Sequence, residues 1–381
     1  MSFSLLTPKR TVFGEGALES CREALCSLGK KPLIVTGYGM DKMPAFQKLT
    51  DVLAGMPYAL FSDIPAEPDD TMVAAGMQTY LQAACDCVIG IGGGSALDSA
   101  KAIAAGVVLP DGVCAYTCKE IEADVPPLAL IPTTAGTGSE ATKFIVITDS
   151  KSSEKLLLKG DALLPKLAIV DYTMSMSMPA KLTAYTGMDT LTHAVEAYTS
   201  KRANPLCDPY AVDAVKRCFE SLPVVYHDGS AAKDRESMSI AAFEAGVCIC
   251  NASVTLVHGM SRPIGAKFHV PHGLSNAMLL APCLAFAAEG APERFAALSR
   301  AVGFASGSDS NQAAANALIE QLKRISKVLE IPSPGEYGIA REDFLAAAQQ
   351  MAVEALQSGS PANTRSSVSQ YDIVTLYQSL Y

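Results

Sequence analysis

The first half of the chain alternates between short apolar runs and amphipathic ones. "KPLIVTG" reads as a buried strand ending in a glycine turn, and "YALFSDI", "CDCVIGIG" and "LALIPTT" read as further strands. Between them, residues 42–55, residues 69–84 and "ALDSAKAIAAGV" carry helical spacing. Strands alternating with helices predict a mostly parallel sheet covered on both faces. The pattern changes near residue 179, where Ala-rich amphipathic runs follow at 187–202, 208–221, 231–250, 292–302, 310–329 and 342–357. Strand signals nearly vanish there. The expected organisation is an α/β domain over residues 1–178 and an all-helical domain over residues 179–381.

Composition narrows the function. The chain has 381 residues, of which 49% are hydrophobic, enough for large cores. Its formal charge of −9 argues against nucleic acid as a partner, because such binders carry a basic face. Eleven cysteines are scattered without a CxxC pair, so they are expected as buried, reduced thiols. The N-terminus lacks a charged region followed by a long apolar stretch, and no window of about 20 apolar residues is free of charge. A cytoplasmic protein without a membrane partner is expected.

Three stretches carry chemistry. "VIGIGGGSALDSAK", residues 88–101, runs from strand through three glycines into helix. Glycines allow close backbone approach and a helix N-terminus offers free N–H groups, so the loop reads as a phosphate site or as a tight turn. The spacing is neither GxGxxG nor a P-loop. "PTTAGTGSEAT", residues 132–142, holds five hydroxyls and two glycines directly after the next strand. Strand ends in such a sheet converge on one crevice, so these hydroxyls can reach the same nucleotide.

The third signal is the histidines, of which the chain has five. "GMDTLTHAVEAY" puts Asp189 and His193 one helical turn apart. "HGMSRPIGAKFHVPHG" adds His258, His269 and His272. One carboxylate with two or three imidazoles is a ligand set suited to Fe²⁺ or Zn²⁺. The alternative is a set of hydrogen-bonded core histidines.

With these motifs in order, the chain resembles the iron-containing (group III) alcohol dehydrogenases from "FGEGAL" to "DIVTLYQ". The resemblance implies a Rossmann-like dinucleotide-binding domain followed by an all-α metal-binding domain. It implies that Gly92, Gly93, Gly94 and Ser95 hold the pyrophosphate of NAD or NADP, with Asp98 nearby. Thr133, Thr134, Thr137 and Ser139 would line the nicotinamide-ribose side, and Lys155 matches a lysine that touches the cofactor. The implied ligands of Fe²⁺, with Zn²⁺ as the alternative, are Asp189, His193, His258 and His272. The cation would act as a Lewis acid toward the substrate oxygen while the nicotinamide exchanges a hydride.

Two positions depart from the family pattern. Arg262 stands where many members have a histidine four residues after a ligand; it suits a carboxylate, sulfonate or phosphonate, or else it pairs with a structural carboxylate. His269 then becomes the candidate for proton relay. Gly37 stands where NAD-preferring members have an aspartate, which admits NADP, with Lys42 as a partner for its phosphate. The expected activity is reduction of a small aldehyde, of the succinate semialdehyde, sulfoacetaldehyde or phosphonoacetaldehyde type, by a homodimer. The alternatives are a generalist short-chain alcohol or propanediol (lactaldehyde) dehydrogenase, a zinc polyol dehydrogenase, a hydroxyacid–oxoacid transhydrogenase, or a silent nucleotide-binding or filament subunit.

Overall fold

The computed structural model describes residues 3–65, 67–117, 119–151 and 154–381. The chain divides into two compact units, Leu6–Met178 and Pro179–Tyr381, the second also gathering residues up to Leu5.

The first unit is built on a six-stranded parallel sheet. In chain order its strands are β1 (Thr11–Phe13), β2 (Pro32–Gly37), β3 (Ala59–Ile64), β4 (Cys87–Gly92), β5 (Leu128–Pro132) and β8 (Leu167–Val170). Their order across the sheet is β1-β8-β5-β4-β2-β3. Side chains alternate between the two faces. Leu33, Val35, Val88, Leu128 and Leu130 enter one core, whereas Ile34, Ile89, Ile91, Ala129 and Ile131 enter the other. Both faces are therefore buried, which is why these strands read as continuous apolar runs. Helices Pro44–Val52, Asp70–Gln82 and Gly94–Gly106 lie in the three helical stretches the sequence marks. The Asp69 side chain caps the second of these by accepting from Met72 N.

An antiparallel hairpin of β6 (Phe144–Thr148) and β7 (Lys155–Lys159) was not anticipated. "FIVIT" and "KLLLK" are only five residues each, too short for periodicity to tell strand from helix.

The second unit is helical. Ala180–Thr199, Asp208–His227, Ala232–Ala252, Pro292–Ala301, Asn311–Val328 and Arg341–Gln357 correspond to the six expected runs. Leu256–Phe268, His272–Glu289 and Gln370–Gln378 are additional. The first two of these contain Pro263 and Pro282, and Asp208–His227 runs on through Pro223. Proline removes a helix donor and reads locally as a breaker, but packing on neighbouring helices overrides that cost. Among the described residues no single helix is long and apolar enough to cross a membrane. The ten described cysteines are all free, and eight are buried.

Candidate functional site

In the first unit the strand order reverses between β2 and β4, because β3 lies to one side of β2 and β4 to the other. Ligands of open α/β sheets bind at the carboxyl ends of strands beside such a reversal. A cavity of about 250 Å³ opens there, lined by Gly37, Tyr38, Met40, Ile64, Pro65, Gly93, Ser95 and Ala96. The Gly94–Gly106 helix starts at this cavity with no side chain capping it, so backbone N–H groups are left to a ligand. Among the described residues no carboxylate lines the cavity at Gly37. Lys42 lies in the short Met40–Lys42 turn after β2.

β5 pairs with β4 so that Pro132 stands opposite Gly92, and Thr133 N donates to Gly92 O at 2.9 Å. This register brings the hydroxyl-rich stretch against the glycine loop. A Cβ on Gly94 would come within 2.6 Å of Thr137 Cγ2, and one on Gly93 within 3.5 Å of Thr134. Glycine at 94 is thus required by close approach. Asp98 and Ser139 meet each other: Ser139 Oγ donates to Asp98 Oδ1 at 2.5 Å, and Val146 N donates to its other oxygen.

Beneath them lies a residue that the sequence reading passed over. Lys101 is fully buried, and four acceptors, Ser139 O, Ser139 Oγ, Thr142 Oγ1 and Phe144 O, lie 2.6–3.1 Å from its Nζ and share its three hydrogens. Asp98 Oδ1 is 3.7 Å from it. This lysine ties the stretch to the helix. Its spacing of three from Asp98 was the available signal. Lys155 Nζ donates to Glu67 Oε2 and Thr148 Oγ1, both at 2.9 Å.

The second unit holds the histidine cluster. Asp189, His258 and His272 offer ligand atoms that all lie within 4.8 Å of one another. Asp189 Oδ1 stands 3.5 Å from His258 Nε2, 3.8 Å from His272 Nε2 and 3.7 Å from His193 Nε2. His193 joins through Asp189, and its ring stacks on that of His258 with centroids 4.5 Å apart. His272 opens its helix directly after Pro271. A Cβ on Gly273 would collide with Tyr185 O, so glycine lets this helix start against Ala180–Thr199 and brings His272 to Asp189.

Asn276 tests whether a cation suits this place. Its Nδ2 donates to Asp189 Oδ1 at 2.7 Å and stands 3.1 and 3.2 Å from Nε2 of His258 and His272. Three acceptors converge on one amide group that has only two hydrogens. Lone pairs aimed at a single point, from one carboxylate and two imidazoles, fit a divalent transition metal. Asp189 is nearly fully buried. Burial pushes its pKa up, but the charges of His193, His272 and His258 outweigh this and hold it well below the carboxylate range.

Glu196 completes the centre and was also missed. It is fully buried, and His258 Nδ1 donates to its Oε2 at 2.6 Å. Its other oxygen accepts from Thr255 Oγ1 and Val257 N at 2.6 and 2.7 Å. Burial lowers the His258 pKa, but Glu196 and Asp189 together outweigh it and the value is pushed up to about 8. The bond keeps the proton on Nδ1 and turns Nε2 toward Asp189. The signal was present: Glu196 lies three residues after His193 and seven after Asp189, on one helical face.

His272 is the open member, with 48% of its side chain exposed. Burial lowers its pKa; Asp189 opposes this, and the charges of His258, His193 and Arg262 add to it. Water at the exposed half weakens the shift. Arg262 lies one turn beyond His258, and its Nη1 donates to Ser360 Oγ at 3.2 Å. His269 is exposed in a left-handed conformation (φ 54°) after its helix, and no hydrogen bond or ring contact joins it to the cluster among the described residues.

Comparison with known proteins places these features in context. A family model described as "Iron-containing alcohol dehydrogenase" matches residues 8–172, and one described as "Fe-containing alcohol dehydrogenase family, C-terminal" matches residues 183–381. The chain is 37% identical over 344 residues to the NAD-dependent methanol dehydrogenase of Bacillus methanolicus, covering 88% of this chain and 90% of that one. The crystal structure of a 1,3-propanediol oxidoreductase superposes with a TM-score of 0.96 at 32% identity, covering all of both chains. The structure of a sulfoacetaldehyde reductase from Bifidobacterium kashiwanohense, in complex with NAD⁺, superposes with a TM-score of 0.89 at 26% identity, covering 100% of this chain and 99% of that one.

Proposed function

The chain belongs to the iron-containing alcohol dehydrogenase family, and on that premise we propose that it moves a hydride between NAD or NADP and a small primary alcohol or aldehyde. The observation that carries this reading is the convergence of Asp189 Oδ1 with Nε2 of His258 and His272. When bound, divalent iron supplies a Lewis acid at that point and the nicotinamide supplies or accepts the hydride.

The chain's own residues do the rest. Asp189, His258 and His272 hold the cation, with His193 as the fourth side chain beside Asp189. Glu196 fixes the His258 tautomer so that its lone pair faces the ion. Backbone amides at Gly93 and Gly94 take the pyrophosphate, helped by the uncapped helix N-terminus. Gly92 and Ser95 frame that loop, and Thr133, Thr134 and Thr137 line the neighbouring stretch. Gly37 places no carboxylate against a 2′-phosphate, so both cofactors are admitted.

Free thiols throughout the described chain fit a reducing compartment, and we assign the enzyme to the cytoplasm. A homodimer is the arrangement that symmetry favours.

The test is oxidation of NADH and NADPH by small primary aldehydes, using protein loaded anaerobically with Fe²⁺. Oxidation that needs both metal and aldehyde supports the reading. Protein that binds iron tightly yet consumes neither cofactor with any aldehyde would overturn it.

A further inference from the structure

Arg262 is the cation near the cluster that the protein leaves without a counter-ion. It stands one turn after His258 on the same helix face and is partly buried. Among the described residues its single hydrogen bond is to a neutral hydroxyl, Ser360 Oγ, at 3.2 Å. No aspartate or glutamate pairs with it among the described residues. The acid whose charge acts on it is Glu196, and both oxygens of Glu196 are already taken by His258, Thr255 and Val257. Asp189 is committed to the histidine cluster.

Arginines in structural roles look different in this protein. Arg294 donates to Tyr198 O and to Asp208, and its guanidinium lies 3.8 Å over the Tyr198 ring. Arg235, 1% exposed, donates to Gly229 O and Thr183 Oγ1 and has a further interaction beyond these two. Arg262 uses one of five donors. Burial of a guanidinium without an anion is costly, so the arrangement is built for an anion that arrives with a ligand.

Ser360 is held firmly enough to aim the guanidinium. It is 5% exposed, and the Pro361 ring that follows it packs directly against Gly259, one residue after His258. The charge count points the same way. A divalent cation is balanced by the Asp189 and Glu196 carboxylates, which leaves the charge of Arg262 over.

We propose that Arg262, oriented by Ser360, is the receptor for an anionic head group, and that the substrate is a small aldehyde or alcohol bearing a carboxylate or sulfonate. A guanidinium presents paired N–H groups that match two oxygens of such a group, while the carbonyl or hydroxyl end reaches the cation. The inference rests on the dehydrogenase reading for its second half only; anion binding stands apart from turnover.

Two measurements separate these parts. The first is calorimetric binding of isethionate and of 4-hydroxybutyrate to iron-loaded wild type, Arg262→Gln, Arg262→Lys and Ser360→Ala. At least one anion is expected to bind wild type, tenfold or more weakly to Arg262→Gln, and at intermediate strength to Arg262→Lys and Ser360→Ala. Binding of neither anion to wild type, or equal binding to wild type and Arg262→Gln, overturns the proposal. The second is the ratio of kcat/KM for succinate semialdehyde over butyraldehyde, and for sulfoacetaldehyde over propionaldehyde. At least one ratio should fall tenfold or more in Arg262→Gln; ratios that stay unchanged overturn the proposal. If no aldehyde is turned over by wild type, the dehydrogenase reading fails, and the calorimetry still decides the anion site.

Discussion

His258 and Glu196 are joined at 2.6 Å in a fully enclosed pair, 62 residues apart in the chain. The carboxylate fixes which nitrogen of His258 carries the proton, and therefore which one is offered to a metal. Replacing Glu196 with Gln keeps the shape but not the charge. Metal affinity should fall about 10- to 100-fold. Competition with a chelator of known affinity measures this, and an unchanged dissociation constant would reduce Glu196 to a packing role.

Metal binding should also appear as stability. Ligand at a hundredfold excess over its dissociation constant stabilises the folded state by about 2.7 kcal/mol. Fe²⁺ under anaerobic conditions, or Zn²⁺, should raise the melting temperature, and a chelator should reverse the gain. Asp189→Asn removes the charge shared by three imidazoles, so the shift should disappear. A melting temperature that rises equally in the variant would mean the ion binds elsewhere.

Lys101 places a fully buried ammonium, with three hydrogens, among four acceptors, and Asp98 stands beside it. Lys101→Met leaves that carboxylate without its cation and removes the donor that the four acceptors share. A loss of about 3–5 kcal/mol is expected, the usual result of removing one partner from a buried charged pair. Denaturant unfolding reads it, and a loss below about 1 kcal/mol would contradict the structural role.

Glu140, within the hydroxyl-rich stretch, is almost wholly buried. Burial pushes its pKa up from 4.5 to about 7, with its own backbone N–H and the charge of Lys101 opposing. The folded value lies above the unfolded one, so the native state binds the proton more tightly and stability falls as pH rises through this window. The loss begins near pH 4.5 and levels off above about 7. Glu140→Gln removes the charge, so the variant should gain about 1–3 kcal/mol over wild type at pH 8 and little at pH 4. Urea midpoints at the two pH values test this; an equal gain at both would show that ionisation is not the cause.

The nucleotide loop allows a separate test. Gly94→Ala sets a methyl against Thr137, whose Cγ2 would lie at 2.6 Å. The start of the helix must shift, and cofactor affinity should weaken about tenfold, roughly 1.4 kcal/mol. Titration of NADH fluorescence reads this directly. Unchanged affinity would place the pyrophosphate away from the loop.

Local pattern determined much of this protein. The buried strands β2, β4 and β5 are legible because a sheet covered on both faces demands unbroken apolar runs. Helices such as Asp208–His227 and Asn311–Val328 are legible because each keeps one apolar stripe along its length, whereas Ala180–Thr199 and Ala232–Ala252 are buried over most of their surface and are legible as long Ala-rich runs. The chemical types were legible too: glycines before a helix, and carboxylate and imidazole one turn apart at Asp189 and His193. What the sequence hid is what packing alone supplies. Helices Leu256–Phe268 and His272–Glu289 carry prolines that local propensity reads as breaks, so the elements bearing His258, Arg262, His272 and Asn276 were not visible as helices. Periodicity records which face of an element is buried but not which distant element meets it. Only the tertiary structure joins Glu196 to His258, Lys101 to Ser139 and Arg262 to Ser360, because each pairing depends on long-range contacts between separately folded segments.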